Sequence, residues 1–494
     1  MRRRSSVSFI VGLVTILCPL QVLAQAEIVP GRIDPPRTPL HDAAMRAGHH
    51  ALYLCSGHFV TGLDEDVMRR DAMLDSTERE TWPTELRASV DSERKFVQVH
   101  YADGLPPRVA AWRPHIGCAQ LPIGASLDAI QHLPRLPGSG EAPSLDTEDW
   151  PLGDANALIG ANQEAHALAD VVEAAFDSNV YGGVTWGIVI ANKDGILAES
   201  YGRGYDLHSL QRTHSAAKSL AATLVGVAVQ QGLVSTDDPA GFPEWAAPGD
   251  PRATIRMDDF LRMSSGLYTG GGRNPQQEVY LAGKSIDDSS LRLSVNSPPG
   301  ARYVYAGTDT NLAIRMLRER MTDEEYLKFP FEQLLWKLGM TRTHPETDWR
   351  GNYLMSGQMY ASARDLLRMG LLYLNDGVWQ GERLLPEGWV EYVSTTRDAQ
   401  PRGSWADKNC ADCQGRAYGA QFFLPAKGFG LPDDAFMVSG GRGQYVLIIP
   451  SMDMVVVRRG VDLSRRALQD PADTYLTRFE IERFAADVLE AIAQ

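Results

Sequence analysis

The sequence Ser215-Ala216-Ala217-Lys218 stands at the start of the apolar run Leu220-Ala221-Ala222-Thr223-Leu224-Val225-Gly226-Val227-Ala228-Val229. Residues three apart on a helix share one face, so we expect the lysine amine to lie beside the serine hydroxyl. A lysine in an apolar setting loses its proton readily, and a neutral amine can take the proton of a neighbouring hydroxyl. The pattern therefore predicts a buried helix that carries a nucleophile, Ser215, and its proton acceptor, Lys218.

A second Ser-x-x-Lys sequence, Ser92-Glu93-Arg94-Lys95, shows that the spacing alone does not identify a nucleophile. The residues that follow Ser92 are all charged, and a lysine in such surroundings points to water and keeps its proton. We interpret Ser92 as part of a solvated surface turn. It is the apolar run after Lys218 that distinguishes Ser215 as the candidate nucleophile.

The first 26 residues have the composition of a cleaved secretory signal. Arg2-Arg3-Arg4 precedes an apolar segment from Val7 to Leu20, and small residues follow around Ala24-Gln25-Ala26. The apolar segment is too short for a comfortable membrane span, and no later stretch is long enough for one. We therefore predict a signal peptide over residues 1–26 and a periplasmic or secreted mature protein without stable membrane insertion.

The charge balance excludes whole classes of partner. The chain has 48 Lys and Arg residues against 62 Asp and Glu residues, a formal net charge of −14, and removal of the signal makes it more negative still. Such a chain has no electrostatic footprint for nucleic acid or an anionic membrane surface. We expect a small-molecule substrate, and the composition says nothing about the oligomeric state.

Four cysteines remain after removal of the signal, namely Cys55, Cys118, Cys410 and Cys413. An even number in an exported protein indicates two disulfides. The pairing that we expect joins Cys55 to Cys118 and Cys410 to Cys413, although spacing alone does not fix the connectivity. A zinc or redox role for the second pair needs another ligand pair or a thioredoxin-like context, and neither is visible. We therefore predict no metal and no cofactor.

Residues 27–165 are predicted to form a separate N-terminal extension of unknown role. This segment is rich in proline and charge, and alternating stretches such as Phe96–Tyr101 predict short strands. Its end has the composition of a linker, with Pro134, Pro137, Gly138, Gly140 and Pro143.

The remaining residues, 166–494, show strands at both ends and helices between them. A helix at about 162–177 precedes a hairpin of Val184–Ala191 and Ile196–Tyr201, and the helix after Ser215 ends at Gly232. Later segments predict helices over 365–373, 387–394 and 473–493, and strands over 435–439, 445–449 and 454–458. This order indicates an α+β fold in which one antiparallel sheet, flanked by helices, is assembled from both ends of the domain, with an all-helical lobe inserted. A cleft between sheet and lobe is the expected active site.

Four sequence elements follow one another between residues 215 and 445. They are Ser215-Ala216-Ala217-Lys218, Leu261-Arg262-Met263-Ser264-Ser265-Gly266-Leu267, Pro298-Pro299-Gly300 with Tyr305-Ala306-Gly307-Thr308-Asp309-Thr310-Asn311-Leu312, and Ser439-Gly440-Gly441-Arg442-Gly443-Gln444-Tyr445. In this order they resemble the serine β-lactamase and penicillin-binding protein superfamily, specifically its branch of esterases and 6-aminohexanoate-oligomer (nylon-oligomer) hydrolases. The resemblance covers about residues 165 to 494 and implies a β-lactamase-like fold.

The resemblance also implies roles for individual residues. Ser215 would be the acylated nucleophile, Lys218 its proton acceptor or relay, and Tyr305 a general base or acid, with Tyr303 as the competing tyrosine. A cationic Lys218 is expected to favour the Tyr305 phenolate. The backbone N–H of Ser215 and one within Val438–Gly441 would bind the oxyanion. The oxyanion and substrate-binding residues on this strand and the turn after it would then be Ser439, Gly440, Gly441 and Arg442.

Departures from the family pattern narrow the predicted function. Penicillin-recognising members usually carry Lys-Thr-Gly on the last of these elements, and no lysine occurs between Phe436 and Gly441. No Gly-x-Ser-x-Gly sequence surrounds Ser215, which argues against an α/β-hydrolase triad. The sequence therefore predicts an exported serine hydrolase that cleaves a carboxylic ester or linear amide. A penicillin-binding D,D-peptidase, a β-lactamase and a non-catalytic binding homologue remain the alternatives.

Overall fold

The structure, a computed structural model, describes residues 38–73, 86–138, 142–158, 163–269, 275–403, 415–462 and 478–493. These residues belong to one compact unit. The predicted signal peptide and the predicted Cys410–Cys413 disulfide lie outside the described residues. Among the described residues, no helix has both the length and the apolar character that crossing a membrane requires.

The N-terminal part is a four-stranded antiparallel sheet with a helix packed on it. Its elements are α1 Pro39–Ser56, α2 Glu65–Met73, β1 Arg87–Asp91, β2 Phe96–His100, β3 Arg108–Arg113 and β4 Gly117–Gln120, and the strand order is β1-β2-β3-β4. A disulfide joins Cys55, near the end of α1, to Cys118 of β4, which confirms this predicted pair. Apolar residues of α1, β2 and β3 form a cluster around that disulfide, so the segment has a core of its own. Its separation as a domain that ends at residue 165 stays a prediction.

The rest of the chain contributes the following elements. The helices are α3 Gln163–Ala174, α4 Ser178–Tyr181, α5 Ala216–Gln230, α6 Met257–Leu261, α7 Pro275–Tyr280, α8 Ile286–Ser289, α9 Gly307–Arg318, α10 Asp323–Pro330, α11 Ala363–Leu374, α12 Trp389–Ser394 and α13 Ile481–Ala493. The strands are β5 Val184–Asn192, β6 Gly195–Tyr201, β7 Gln211–Arg212, β8 His344–Pro345, β9 Met359–Ala361, β10 Val378–Trp379, β11 Glu382–Arg383, β12 Ala417–Tyr418, β13 Phe423–Leu424, β14 Phe436–Gly440, β15 Gln444–Ile449 and β16 Met454–Val461. Short 3₁₀ or π-helical segments occupy Gly57–Thr61, Leu127–His132, Pro243–Trp245, Pro251–Thr254, Ser290–Arg292, Phe331–Leu335 and Pro450–Met452.

A seven-stranded antiparallel sheet, in the order β12-β13-β14-β15-β16-β5-β6, organises this larger part. Strands β5 and β6 come from its beginning and β12 to β16 from its end, and β16 pairs directly with β5. This arrangement confirms the prediction that the two ends of the domain build one sheet. Each end of strands β5, β6, β14, β15 and β16 lies within three residues of its predicted position.

Helices cover both faces of this sheet, which explains why its central strands are apolar on both sides. Val189 of β5 and Val446 of β15 pack with helices α5 and α11. The next residues along, Ile190 and Leu447, point to the other face and pack with α3 and α13. The Ser215 helix, α5, therefore lies between the sheet and the helical lobe.

A small three-stranded sheet, in the order β7-β9-β8, lies beside the start of α5. Gln211 of β7 pairs with Ala361 of β9, and His344 of β8 pairs with Tyr360 of β9. The buried side chain of Arg459, on β16, donates to the backbone carbonyls of Gln211 and Ala361. Strand β16 of the large sheet thus holds the small sheet in place, and Ser215 lies three residues after β7 of that small sheet.

We expect Gly117→Ala to destabilise the protein more than Gly104→Ala does, by about 2 kcal/mol. Both glycines have positive φ, 56° and 73°, so both substitutions carry the same backbone strain. A Cβ at residue 117 would lie 2.5 Å from Glu346 Oε1, whereas a Cβ at residue 104 would meet nothing within 4 Å. Urea unfolding of both variants measures the difference, and equal losses would contradict the close approach of β4 to Glu346.

Candidate active site

A strained turn leads from β7 into the helix that carries the nucleophile. Thr213 N–H donates to the carbonyl of Met359 at 2.8 Å, and the next residue, His214, has a φ of +48°. Positive φ at a residue other than glycine stores backbone strain, and such strain is common at functional sites. The turn places Ser215 at the N-cap of α5, where the partial positive charge of the helix N-terminus lies next to its hydroxyl.

The amine of Lys218 faces Ser215, as the three-residue spacing predicts. Lys218 Nζ donates to Ser215 Oγ at 3.2 Å and to the backbone carbonyl of Ser356. The lysine side chain is buried, and burial disfavours the ammonium form, so it lowers the pKa of Lys218 to about 7. A substantial fraction of this amine is therefore neutral near neutral pH and able to accept a proton from Ser215.

Tyr305 is the tyrosine that meets this pair. Its hydroxyl is hydrogen-bonded with that of Ser215, and Lys218 Nζ lies 5.1 Å from the centre of its ring. Although 39% of its surface is exposed, the protein around the phenol desolvates it and raises the pKa of Tyr305 to about 12, and the hydrogen bond from Ser215 offsets only part of this rise. The expectation of a Tyr305 phenolate is therefore wrong, because desolvation disfavours the charged form of both groups and leaves the phenol protonated beside a weakly basic lysine.

Tyr303 does not reach the candidate nucleophile. Its side chain is buried against Tyr418 with ring centres 5.3 Å apart, and its hydroxyl has no hydrogen-bond partner among the described residues. In a strand, Tyr303 and Tyr305 would point to the same face. Residues 302–306 do not form a strand, so the two side chains are free to point in different directions. The geometry favours Tyr305 in the choice between them.

The end of β14 approaches the turn before α5. A Cβ at Gly440 would lie 2.2 Å from the carbonyl of Thr213 and 3.0 Å from Ala216 N, so only glycine allows this contact. Strand β14 pairs with β15 up to Gly440 and with β13 only at Met437. Among the described strands, none pairs with Val438–Gly440 on the side of β14 that faces away from β15. Main-chain N–H and C=O groups on that side are therefore available to a substrate.

The other predicted residues of this element fall in and next to the β14–β15 turn. Ser439 directly precedes Gly440 on β14. A Cβ placed at Gly441 would lie 3.8 Å from His214 Cβ. Arg442 is the second residue of the turn and has a φ of +64°. The structure therefore brings Ser439, Gly440 and Gly441 beside the start of α5 and places Arg442 one residue further along the turn.

Several residues that organise the site were not identified from the sequence. The Ser356 carbonyl accepts a hydrogen bond from Lys218, and Ser356 N–H donates to Asn311 Oδ1 of α9 at 3.0 Å. Asp309, in the first turn of α9, accepts a hydrogen bond from Ser265 Oγ at 2.7 Å, so it fixes the segment around Ser265. Asn311 and Asp309 lie within the quoted Tyr305–Leu312 motif, but a main-chain acceptor at Ser356 has no side-chain signature.

A large cavity and an acidic cluster lie away from Ser215. A cavity of about 980 Å³ lies between residues 121–134 and the helical lobe, and its lining includes none of the candidate catalytic side chains. Asp146, Asp154 and His208 have ligand atoms within 4.8 Å of one another. Arg342 pairs with both carboxylates, so this cluster is an ion-pair network.

Residues 168–459 match the family described as Beta-lactamase. The chain belongs to the beta-lactamase family. This matched span contains Ser215, Lys218, Tyr305 and β14, and the family belongs to the serine β-lactamase and penicillin-binding protein superfamily, whose members are serine hydrolases. The superfamily that the four sequence elements predict is confirmed.

Individual relatives are distant. A 6-aminohexanoate-dimer hydrolase of Paenarthrobacter ureafaciens is 26% identical over 213 residues, which cover 40% of this chain and 54% of that enzyme, so the chain spans about half the length of this relative. An uncharacterised protein of Alkalihalophilus pseudofirmus is 24% identical over 55% of this chain and 81% of its own. The crystal structure of a candidate beta-lactamase of Bacteroides dorei has 19% identity and a TM-score of 0.50 over 66% of this chain and 98% of its own, which shows the shared fold.

The rate at which a fluorophosphonate labels Ser215 should rise with pH and level off, with a midpoint near the Lys218 pKa of about 7. The lysine must be neutral to accept the serine proton, so the reactive form is depleted below this pKa. Lys218→Ala should label slowly and without this transition. The measurement is the second-order labelling rate across this pH range, and a midpoint near 10, the ordinary lysine value, would contradict the assignment.

Tyr305→Phe should impair cleavage of an anilide more than cleavage of the 4-nitrophenyl ester of the same acid. An amine leaving group needs a proton, and losing a positioned acid costs about a hundredfold, whereas nitrophenolate leaves without one. Tyr303→Phe is the matched control and should change both rates by less than about threefold. Steady-state kcat/KM values, which report the steps up to acylation, test this, and a larger effect from Tyr303→Phe would reverse the assignment.

Proposed function

We propose that this protein is an exported serine hydrolase that cleaves a carboxylic ester or linear amide through an acyl-enzyme on Ser215. The observation that carries the proposal is the buried Lys218 amine, 3.2 Å from Ser215 Oγ, with a pKa lowered to about 7. A buried amine beside a hydroxyl at a helix N-terminus activates that hydroxyl without a histidine or a metal ion.

The acylation step uses the pair directly. Neutral Lys218 accepts the proton of Ser215 as Oγ attacks the substrate carbonyl and forms a tetrahedral intermediate. The negative oxygen of that intermediate meets the backbone N–H of Ser215 at the start of α5 and a backbone N–H of the β14 edge within Val438–Gly441. These donors are fixed by the fold, so they need no reorganisation during the reaction.

Collapse of the intermediate requires a proton on the leaving group. Tyr305, whose raised pKa keeps it protonated, donates its hydroxyl proton to the departing alcohol or amine and recovers a proton from the Lys218 ammonium. Water then attacks the acyl-enzyme by the reverse sequence, and Ser215 leaves with its proton restored. Protons and electrons balance over the two steps, and the products are a carboxylic acid and an alcohol or amine.

The residues at the β14 edge support the proposed substrate class. Penicillin-recognising relatives use a strand lysine for the substrate carboxylate, and this chain has Ser439-Gly440-Gly441 there. The Paenarthrobacter ureafaciens relative is named as a hydrolase of 6-aminohexanoate dimer, a linear amide. These two observations favour a linear ester or amide over a β-lactam.

Export is the other part of the proposal. The first 26 residues have the three segments of a secretory signal, and Cys55 and Cys118 form a disulfide. Disulfides persist in oxidising compartments such as the periplasm and outside the cell. Both features support a periplasmic or secreted location.

Intact mass after brief exposure to a fluorophosphonate, and separately to a penicillin, tests the proposal. We expect a single fluorophosphonate adduct on the wild type, none on Ser215→Ala, and at least a hundredfold slower labelling of Lys218→Ala. Ser92→Ala removes the serine of the other Ser-x-x-Lys sequence and should label at the wild-type rate.

The penicillin-binding and the non-catalytic alternatives each have their own outcome in this experiment, and hydrolysed penicillin in the solution would identify a β-lactamase. A stable penicillin adduct on Ser215 would establish the penicillin-binding alternative and overturn the substrate class. Absence of any adduct on the folded wild-type protein would overturn the proposed catalytic role of Ser215.

A further inference from the structure

The segment that holds the Lys218 amine is itself held at several points. Ser356 presents its carbonyl to Lys218, while its N–H bonds to Asn311 and its hydroxyl lies 2.6 Å from that of Tyr280. The next residue, Gly357, accepts a hydrogen bond from the Arg212 guanidinium at 3.2 Å. The direction of the Ser356 carbonyl is thus fixed from the helical lobe on one side and from β7 on the other.

Glu346 closes the loop that contains Ser356. Its N–H donates to the carbonyl of Gln358 at 3.0 Å, and its carbonyl accepts from Leu354 N–H at 2.9 Å. Its carboxylate oxygen Oε2 accepts from Gln358 Nε2 at 2.6 Å. Residue 346 follows β8 and residue 358 precedes β9, so these bonds set the base of the loop two residues from Ser356.

The other oxygen of this carboxylate faces the N-terminal part of the chain. Ser56 Oγ donates to Glu346 Oε1 at 2.8 Å, and Cys118 N–H donates to the same oxygen at 2.7 Å. Both donors adjoin or belong to the Cys55–Cys118 disulfide, which fixes the end of α1 to β4. We call Glu346 with Ser56, Cys118 and Gln358 the Glu346 clamp.

Residues on and beside β4 are shaped to receive the Glu346 side chain. Gly117 has a positive φ, and a Cβ there would lie 2.5 Å from Glu346 Oε1, so glycine admits the carboxylate. Burial raises the pKa of Glu346 to about 7, and the nearby Arg113 guanidinium acts in the opposite direction. Arg113 is itself buried and donates to Thr347 Oγ1, the residue after Glu346, at 2.9 Å. The N-terminal part therefore contacts this segment through both a close backbone approach and a buried charge.

We infer that the N-terminal part positions the catalytic lysine through the Glu346 clamp, with Glu346 as a positioning residue for the Ser356 carbonyl. This inference rests on the proposed role of Lys218. The clamp links the Cys55–Cys118 disulfide to a loop whose carbonyl orients the amine, and it keeps water out of the base of that loop. The N-terminal part, residues 38–121, therefore contributes to catalysis without a residue that touches the reacting atoms.

The amide of Gln358 allows a variant that separates the hydrogen bonds of the clamp from the charge of Glu346. Its Oε1 is buried and has no hydrogen-bond partner among the described residues. A glutamine at position 346 accepts from Ser56 and Cys118 through its Oε1 and, after a flip of the Gln358 amide, donates to Gln358 Oε1. Glu346→Gln therefore keeps the clamp without the charge, whereas Glu346→Ala removes it.

The test is the rate and pH profile of fluorophosphonate labelling of Ser215 in Glu346→Ala and Glu346→Gln. In Glu346→Ala we expect labelling about tenfold slower at neutral pH and a midpoint shifted upward, because a loosened loop admits water and lessens the desolvation of Lys218. Glu346→Gln should return both the rate and the midpoint to within about twofold of wild type. Because burial also raises the pKa of Glu346 to about 7, the midpoint that Glu346→Gln retains excludes Glu346 as the group that titrates. Ser56→Ala, which removes a single donor, should shift both in the same direction as Glu346→Ala by a smaller amount.

Glu199→Gln is the matched control, because the Glu199 side chain is also largely shielded from water, but it pairs with Arg364 at 2.6 Å and lies outside the clamp. Thermal unfolding of each variant establishes that the labelled protein is folded, and Ser56→Ala decides the question if Glu346→Ala does not fold. Wild-type rate and midpoint in Glu346→Ala, or equal changes in Glu199→Gln, would overturn the clamp while leaving the proposed function intact. A wild-type protein that is not labelled at Ser215 would overturn both the clamp and the proposed function.

Discussion

The buried Lys218 amine is the constraint on which the proposed chemistry depends. Burial lowers its pKa from 10.5 to about 7. The ammonium form is therefore destabilised, relative to the neutral amine, by about 5 kcal/mol more than in water. Within the described residues its hydrogen-bond partners are neutral oxygens, those of Ser215 and Ser356. A carboxylate in either place would restore the charge and abolish the base. Lys218 is therefore able to act as the general base because its surroundings keep the amine neutral.

The fold supplies this environment by enclosing α5. The helix lies between the seven-stranded sheet and the helical lobe, and residues 216–228 are buried. Strand β7 delivers Ser215 to its N-terminus, and Gly440 lets β14 approach the same turn closely enough for a substrate to meet both. The rings of Tyr418 and Phe423 pack against Tyr305 on the remaining side. Desolvation here raises the pKa of Tyr305 as it lowers that of Lys218, so the same environment sets an acid beside a base.

The local part of this arrangement could be predicted from the sequence. Helical spacing and the apolar run identified Ser215 and Lys218, two strand-like runs on either side of a turn identified the β5–β6 hairpin, and cysteine number indicated the Cys55–Cys118 bond. What could not be predicted depends on long-range contacts. The Ser356 carbonyl is 138 residues from Lys218 in sequence, and Ser56 is 290 residues from Glu346. The predicted phenolate at Tyr305 was wrong because a sequence shows a lysine as a cation and does not show its desolvation.

The most direct test is a measurement of the pKa of Lys218 itself. Protein labelled with ¹³C at the lysine ε carbons, compared with a Lys218→Arg variant to assign the resonance, gives this value by NMR titration. We predict one lysine resonance with a midpoint at about pH 7, absent from the variant, while exposed lysines titrate near 10. A Lys218 resonance that titrates with the exposed lysines would show a charged amine at neutral pH and would contradict the activation of Ser215 described above.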